Sequence, residues 1–404
     1  MGRRVLNVAL ACVAVAMLFV VGRYTGRITV NDGEGWDGRA YAMMVRGEWD
    51  HGTAMTALRP LLVWVAQRVR QPGWSVVETF GVINAVSLGV LCLALCGIFD
   101  RYSRDRWGKV LLVANVFLSI ATVKAFAFYP VTIDAGALAI SAVAVWCVLS
   151  GQRALSGLVT VAAVLSREFG LAAVAFGIAR DLRGRVRPAI VAATYAPALL
   201  VAAAWRWQVS SRFVENELIG ARDLVMNLRF WQDPMFVTFF VYFLLTVFGG
   251  VSVLVLVRPV RSVVRLVTDE PEWLLFCGLL LAASAMGNAD IWRYLVYLLP
   301  AVTAMFARGW EPATRGLSTA VTAILILATT LATQRPLQAM DLVAYFRDWF
   351  PYYTVSEVEG LPVAVSLQEV WPMRLALTVV LVVALVVADR LLKARDAERS
   401  PVTA

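Results

Sequence analysis

"ALSGLVTVAAVLSREFGLAAVAFGIAR", residues 154–180, decides how the whole chain is threaded. It is apolar enough to enter a membrane, yet Arg167 and Glu168 stand at its centre. It is either one long span with charges at mid-depth or two half-length helices that turn at the charged pair. Loop charge separates the two. "RYSRDRWGK" (101–109), "RDLRGRVR" (180–187), "RPVRSVVR" (258–265) and "KARDAER" (393–399) are all basic. They share one side of a membrane only if 154–180 goes in and comes back. A single span would set the last three opposite the first, against the bias of Lys and Arg toward the cytoplasm. The hairpin is therefore expected. Half-length helices at membrane depth are tolerated only where protein or a cavity surrounds them.

Outward from the hairpin the chain stays apolar. It is 60% hydrophobic and only 16% charged, with mean hydropathy +0.71, whereas soluble domains run near half apolar and a quarter charged. Runs of the roughly 17–25 residues that a span needs lie near 5–22, 75–99, 109–128, 131–149, 188–205, 236–257, 272–287, 291–307, 316–333 and 372–390. With the hairpin at 154–180, the fold class expected is an all-α polytopic membrane protein of about twelve segments, both termini cytoplasmic. "MGRRVLNVALACVAVAMLFVVG" (1–22) mimics a signal peptide, but its core is long and no small-residue cleavage site follows. It is expected to stay as the first span. No internal repeat or low-complexity linker divides residues 1–404, so a single domain is expected.

The net charge of +9 sits in short loops between apolar runs, so nucleic acid is not an expected partner. The five cysteines all lie in apolar segments without zinc spacing, and Cys92 and Cys96 share a helix face as packing residues. With one histidine, a zinc or haem site is not expected, and no cofactor is. A metal, if required, would be a hard divalent cation held by carboxylates.

Three long loops are expected outside: 23–74, 206–235 and 334–371. The first should carry helices over 38–47 and 54–70. The second, "FVENELIGARDLVMNLRFW" (213–231), has the pattern of an interfacial amphipathic helix flanked by Trp205, Trp207 and Trp231 as headgroup anchors. The third is aromatic ("YFRDWFPYY", 345–353).

Ionisable groups inside spans are costly and usually face a cavity or a functional path. Lys124, Asp134, Arg167, Glu168, Asp290 and Arg293 are such groups, each near the outer end of its segment. The densest acidic loop, "NDGEGWDGRAYAMMVRGEWDHG" (31–52), falls at the same level. Together they should ring one polar cavity at the outer face. Each has a plainer role available: a Lys124–Asp134 ion pair, a capped turn at Arg167–Glu168, or an Arg293 that snorkels to headgroups.

"WDGRAYAMMVRGEWDHGTAMTALRPLLVW" (36–64) resembles the first extracytoplasmic loop of GT-C-fold glycosyltransferases such as the protein O-mannosyltransferases and aminoarabinose transferases. The matching positions are Asp37, Arg39, Tyr41, Gly47, Trp49, Arg59, Pro60 and Trp64. "LSREFGL" (165–171) and "NADIWRYLVYLLPAV" (288–302) are similar to later motifs of bacterial GT-C-like proteins tied to cell-surface glycopolymers. A second acidic residue, common beside the first in the mannosyltransferases, is replaced by Gly38, and no WWD-type motif is present.

The resemblance implies a GT-C-like fold in a bacterial inner membrane and a polyprenyl-phosphate sugar donor reached from the outer leaflet. The acceptor it implies is an extracytoplasmic glycan, lipid or protein. A hydroxyl acceptor needs a general base, for which Asp37 is the first candidate and Asp32 the second. The leaving phosphate needs a cation, for which Arg59, Arg167 and Arg293 are candidates and Lys124 a weaker one, with Asp290 orienting Arg293 one helix turn away. Arg39, Tyr41, Asp134 and Glu168 complete the expected substrate site, while Asp50 and His51 are expected on the loop surface. A transporter or lipid flippase also hides charges in a cavity, but usually shows repeat symmetry and midplane sites. A non-catalytic GT-C-like scaffold for surface polymer assembly would share every feature except turnover.

Overall fold

The computed structural model describes residues 2–213, 231–232, 234–251, 260–286, 291–314, 319–334 and 338–340, with single positions 376, 379, 383 and 387. Every regular element among them is helical. Three helices are long and apolar enough to cross a membrane: α1 (Arg3–Thr25), α5 (Val76–Tyr102) and α11 (Pro188–Ser210). α6 (Arg106–Leu118) passes through a π-turn at Ile120–Lys124 into α7 (Ala125–Phe128). This pair bends by 61° and makes a fourth crossing if it counts as one span. The straight helix expected over 109–128 is thus broken beside Ser119. No Pro or Gly marks the break. Hydroxyls compete with the backbone ladder there instead: Thr122 Oγ1 lies 2.7 Å from Ser119 Oγ and donates to the Val116 carbonyl.

The segment at 154–180 is a helical hairpin. α9 (Arg153–Ser166) and α10 (Gly170–Arg183) pack on each other; α9 lies against α8 (Asp134–Leu149) and α11, and α10 against the helix Glu272–Met286. Protein therefore packs on one side of it, while Leu155, Leu158 and Leu171 stay exposed. Beyond α11 come α12 (Pro234–Thr246), the amphipathic α13 (Val260–Asp269), α14 (Glu272–Met286), α15 (Ile291–Leu295), α16 (Leu299–Thr314) and α17 (Thr319–Gln334). A 3-10 turn at Val296–Leu298 interrupts the span expected over 291–307.

Polar bonds gather many helix ends at one pole of the bundle. Lys109 Nζ pairs with Asp100 at 2.6 Å and donates to Asn7 at 2.8 Å. Arg180 Nη1 reaches both Glu270 and Glu272 at 2.7 Å, Arg183 reaches Glu272 at 2.8 Å, and the Tyr102 hydroxyl donates to Glu270 at 2.8 Å. The start of α1, the end of α5, the start of α6, the end of α10 and the start of α14 therefore share this basal pole. From it α5 rises about 40 Å, α8 about 24 Å and the hairpin helices about 21 Å, at 1.5 Å per residue. By these lengths the heads of the short helices end below the tip of α5, in a step at the far pole, the recess.

The segment between α1 and α5 roofs that recess. α2 (Trp36–Val45) stands where a helix was expected over 38–47. The helix expected over 54–70 is instead two pieces, α3 (Ala54–Ala57) and α4 (Pro60–Val69). Arg59 precedes a proline, and the ring of Pro60 pushes it out of the helical region, to φ −121° and ψ 60°. α4 rests on α9, and Trp205 of α11 donates to the Ala57 carbonyl at 2.9 Å and meets Trp64 edge-on. Trp205 is thus a packing residue rather than a headgroup anchor. Trp231 likewise donates to the Ala285 carbonyl at 2.8 Å, and Trp207 is exposed. The expected interfacial helix over 213–231, the 345–353 aromatic run and most of the 372–390 span lie outside the described residues.

Candidate functional site

The recess is lined by a chain of charges that comes from five separate elements. Asp134 opens α8 and is buried. Its Oδ2 accepts from Arg293 Nε at 3.1 Å and Nη2 at 2.8 Å, while Oδ1 pairs with Arg167. The remaining arm of Arg293, Nη1, donates to Asp37 Oδ2 at 3.1 Å. One guanidinium thus ties the head of α8 to the head of α2, from 159 and 256 residues further along the chain. On the other side, Arg59 Nε and Nη2 grip both oxygens of Glu168 at 3.0 and 2.7 Å, and Arg59 Nη1 reaches the buried Tyr41 hydroxyl at 3.5 Å. Planar paired donors of this kind are what arginine supplies and lysine does not.

Burial grades the cluster. Arg167 is 1% exposed, packed 5.1 Å from Phe169, 5.6 Å from Tyr294 and 5.7 Å from Tyr297. A desolvated cation over aromatic faces gains about 2 kcal/mol. By contrast, the side chains of Asp37 and Glu168 are 49% and 45% exposed. The cluster is closed beneath and open at two carboxylates. Burial alone would raise the Asp37 carboxyl, but the charge and hydrogen bond of Arg293, with Arg59 and Arg167 behind, hold it below its ordinary 3.8. Asp37 is therefore a carboxylate at any neutral pH.

Local backbone explains why Asp37 points there. The Gly38 amide donates to the Tyr129 hydroxyl at 2.9 Å, which pins the first turn of α2. A Cβ at Gly38 would stand 2.6 Å from the Val131 carbonyl oxygen. The second acidic residue of the mannosyltransferase pattern has no room here.

The expected residues divide clearly. Asp37, Tyr41, Arg59, Asp134, Arg167, Glu168 and Arg293 are brought together. Lys124 is buried in the π-turn, but the carboxylate of Asp134 belongs to Arg167 and Arg293, which replaces the Lys124–Asp134 pair as the plainer role. Two candidates fall away from the cluster. Asp32 is exposed, in the left-handed region at φ 54°, one of two consecutive residues there with Asn31 at φ 50°. Arg39 is exposed and donates to Asn31 Oδ1 at 3.3 Å. Asp32 belongs to a tight polar turn, whose Asn and Asp tolerate that conformation best, and Arg39 of α2 reaches back to it. Asp50 and His51 are on the loop, with at most partial cover. Asp290 lies outside the described residues; among them, Asp134 and Asp37 hold Arg293. Among the described residues, no group of three or more His, Cys, Asp or Glu gathers that could hold a metal ion.

The aromatic shell of Phe169, Tyr294 and Tyr297, and the bracket from Tyr129, were not foreseen. Their only signal was position: Phe169 directly follows the charged pair, and Tyr294 directly follows Arg293. No family model, curated protein or solved structure matches the chain.

Proposed function

We propose that this chain is a membrane glycosyltransferase of GT-C type that moves a sugar from a polyprenyl-phosphate donor to an acceptor outside the cytoplasm. In this proposal it has about twelve membrane segments with the basal pole cytoplasmic, and the recess opens at the outer face of a bacterial inner membrane. The observation that carries it is the half-exposed Asp37 held by the buried Arg293. A base and a phosphate-binding cation are side by side at the head of a recess at membrane level.

The charges suggest an order of events. Among the described residues three guanidiniums face three carboxylates in the resting cluster, so an incoming phosphate displaces one of them. Asp37 is the weakest held, with one contact to Arg293. When the donor's phosphate takes that arm, Asp37 loses its main stabilising cation and its basicity rises. It then accepts the proton of the acceptor hydroxyl as the acceptor oxygen bonds the anomeric carbon. The bond from that carbon to the phosphate oxygen breaks, and its electrons leave onto the phosphate at Arg293. A single displacement of this kind inverts the anomeric centre.

A non-catalytic scaffold is the second reading, and one observation favours it: each of the three guanidiniums already has a carboxylate. Purified protein with radiolabelled polyprenyl-phosphate sugars and extracted acceptors separates the two. Transfer that Asp37→Asn removes supports the enzyme. No transfer from any donor by folded protein leaves the scaffold.

A further inference from the structure

We propose that a groove between α1 and α5 is a binding site for an anionic phospholipid. This is independent of the reaction above and shares no residue with the charged cluster. The groove is a cavity of about 660 Å³ beside the ends of α1 and α5 nearest the recess. Its wall is apolar, with Leu18 and Phe19 from α1, and Val82 and Val86 from α5. The floor is open because a residue is small: a Cβ at Gly81 would meet nothing within 4 Å. Both helices are long and apolar enough to cross a membrane, so such a groove faces acyl chains.

What selects the occupant is the rim. Arg23, in the last turn of α1, and Arg27, just beyond it, line the same groove and are both exposed. Neither makes a hydrogen bond or ion pair among the described residues. Glu78 lines the same groove and attracts Arg27, but its hydrogen bonds close the capping box of α5, where it accepts from the Ser75 amide at 2.8 Å and the Ser75 hydroxyl at 2.9 Å. Trp74 stands at the same rim, the headgroup level an indole prefers. Two guanidiniums over an apolar slot fit one chain of a lipid below and its phosphate above, each cation adding attraction for an anionic headgroup.

Native mass spectrometry of the full chain in mild detergent, offered phosphatidylglycerol or phosphatidylcholine of the same acyl length, tests this. The expected result is one tightly retained phosphatidylglycerol, preferred about tenfold. The double change Arg23→Gln with Arg27→Gln should abolish the preference, and Arg23→Lys with Arg27→Lys should keep part of it. Gly81→Leu should fill the slot and lower retention of both lipids. Millimolar inorganic phosphate should not displace the lipid. The proposal is overturned if the double glutamine variant keeps the full preference, if Gly81→Leu retains lipid like the unaltered chain, or if inorganic phosphate competes.

Discussion

Asp37 has one guanidinium contact and half its side chain in solvent, whereas Asp134 has two contacts and almost none. The two carboxylates should therefore fail differently. Asp37→Asn keeps the shape but cannot take a proton. Transfer should fall by about 100- to 10,000-fold with little change in melting temperature; near-normal turnover would remove Asp37 as base. The depressed Asp37 carboxyl also sets a pH dependence. Its charge, and the stability it adds, are present above the ordinary 3.8 and are lost only as pH falls through a lower value. Hence kcat/KM should show no acid limb near neutrality. In Arg293→Ala, where burial is no longer opposed by that cation, any residual activity should show the limb moved upward. Asp134→Ala removes the carboxylate that two buried guanidiniums share, and breaking a buried pair costs about 3–5 kcal/mol. Thermal or denaturant unfolding should show that loss, while Asp32→Asn on the surface turn, which keeps a residue suited to the left-handed conformation, stays within about 0.5 kcal/mol. At this scale much of the cluster was legible, because a charge in an apolar run is conspicuous. Asp32 and Arg39 were misplaced because charges on a polar loop all look alike. The aromatic shell was hidden because an aromatic in an apolar run reads as core.

Among the elements, the hairpin and α2 do most to place the cluster. The 154–180 hairpin was legible from loop charge alone, since its centre and its neighbours carry the signal. Gly170 completes the turn: a Cβ there would lie 2.4 Å from the Ala163 carbonyl carbon, so α10 can fold back only without a side chain. The bend after α6 was not legible, because the hydroxyls of Ser119 and Thr122 are ordinary in an apolar helix until they turn on the backbone. The break at Arg59 did have a signal, Pro60, which the apolar pattern of 54–70 masked. α2 offers the sharper test of element placement. Its first turn is held by Tyr129 and presses on Val131, so Gly38→Ala must shift backbone rather than a flexible side chain. Gly38→Ala should lower transfer nearly as far as Asp37→Asn, while Tyr129→Phe, which removes one hydrogen bond, should cost about 0.5–1.5 kcal/mol and part of the rate. If Gly38→Ala leaves transfer unchanged, the position of α2 does not set the geometry of Asp37.

For the whole molecule, the decisive quantity is which pole faces which side of the membrane. The basal pole gathers Arg180, Arg183, Arg308 and Lys109 with their acidic partners, and the basic loops at 101–109 and 180–187 lie there. The recess lies at the other end of α8. The proposed topology puts the basal pole in the cytoplasm on loop charge, and the proposed outer-leaflet donor then requires the recess outside. Positions for a labelling test must be exposed. Arg104 and Arg185 at the basal pole, and Arg39 at the recess, are exposed. Single cysteines at these three positions, in a chain whose five native cysteines are replaced, should divide cleanly. Arg39→Cys should react with an impermeant maleimide in intact cells, and Arg104→Cys and Arg185→Cys only after permeabilisation. The reverse pattern would put the recess in the cytoplasm and direct the search toward donors of that compartment. Labelling of Arg39→Cys and Arg104→Cys from the same side would mean that α5 does not cross. The recess would then not be a membrane-face site at all, because α5 is the longest helix between those two poles.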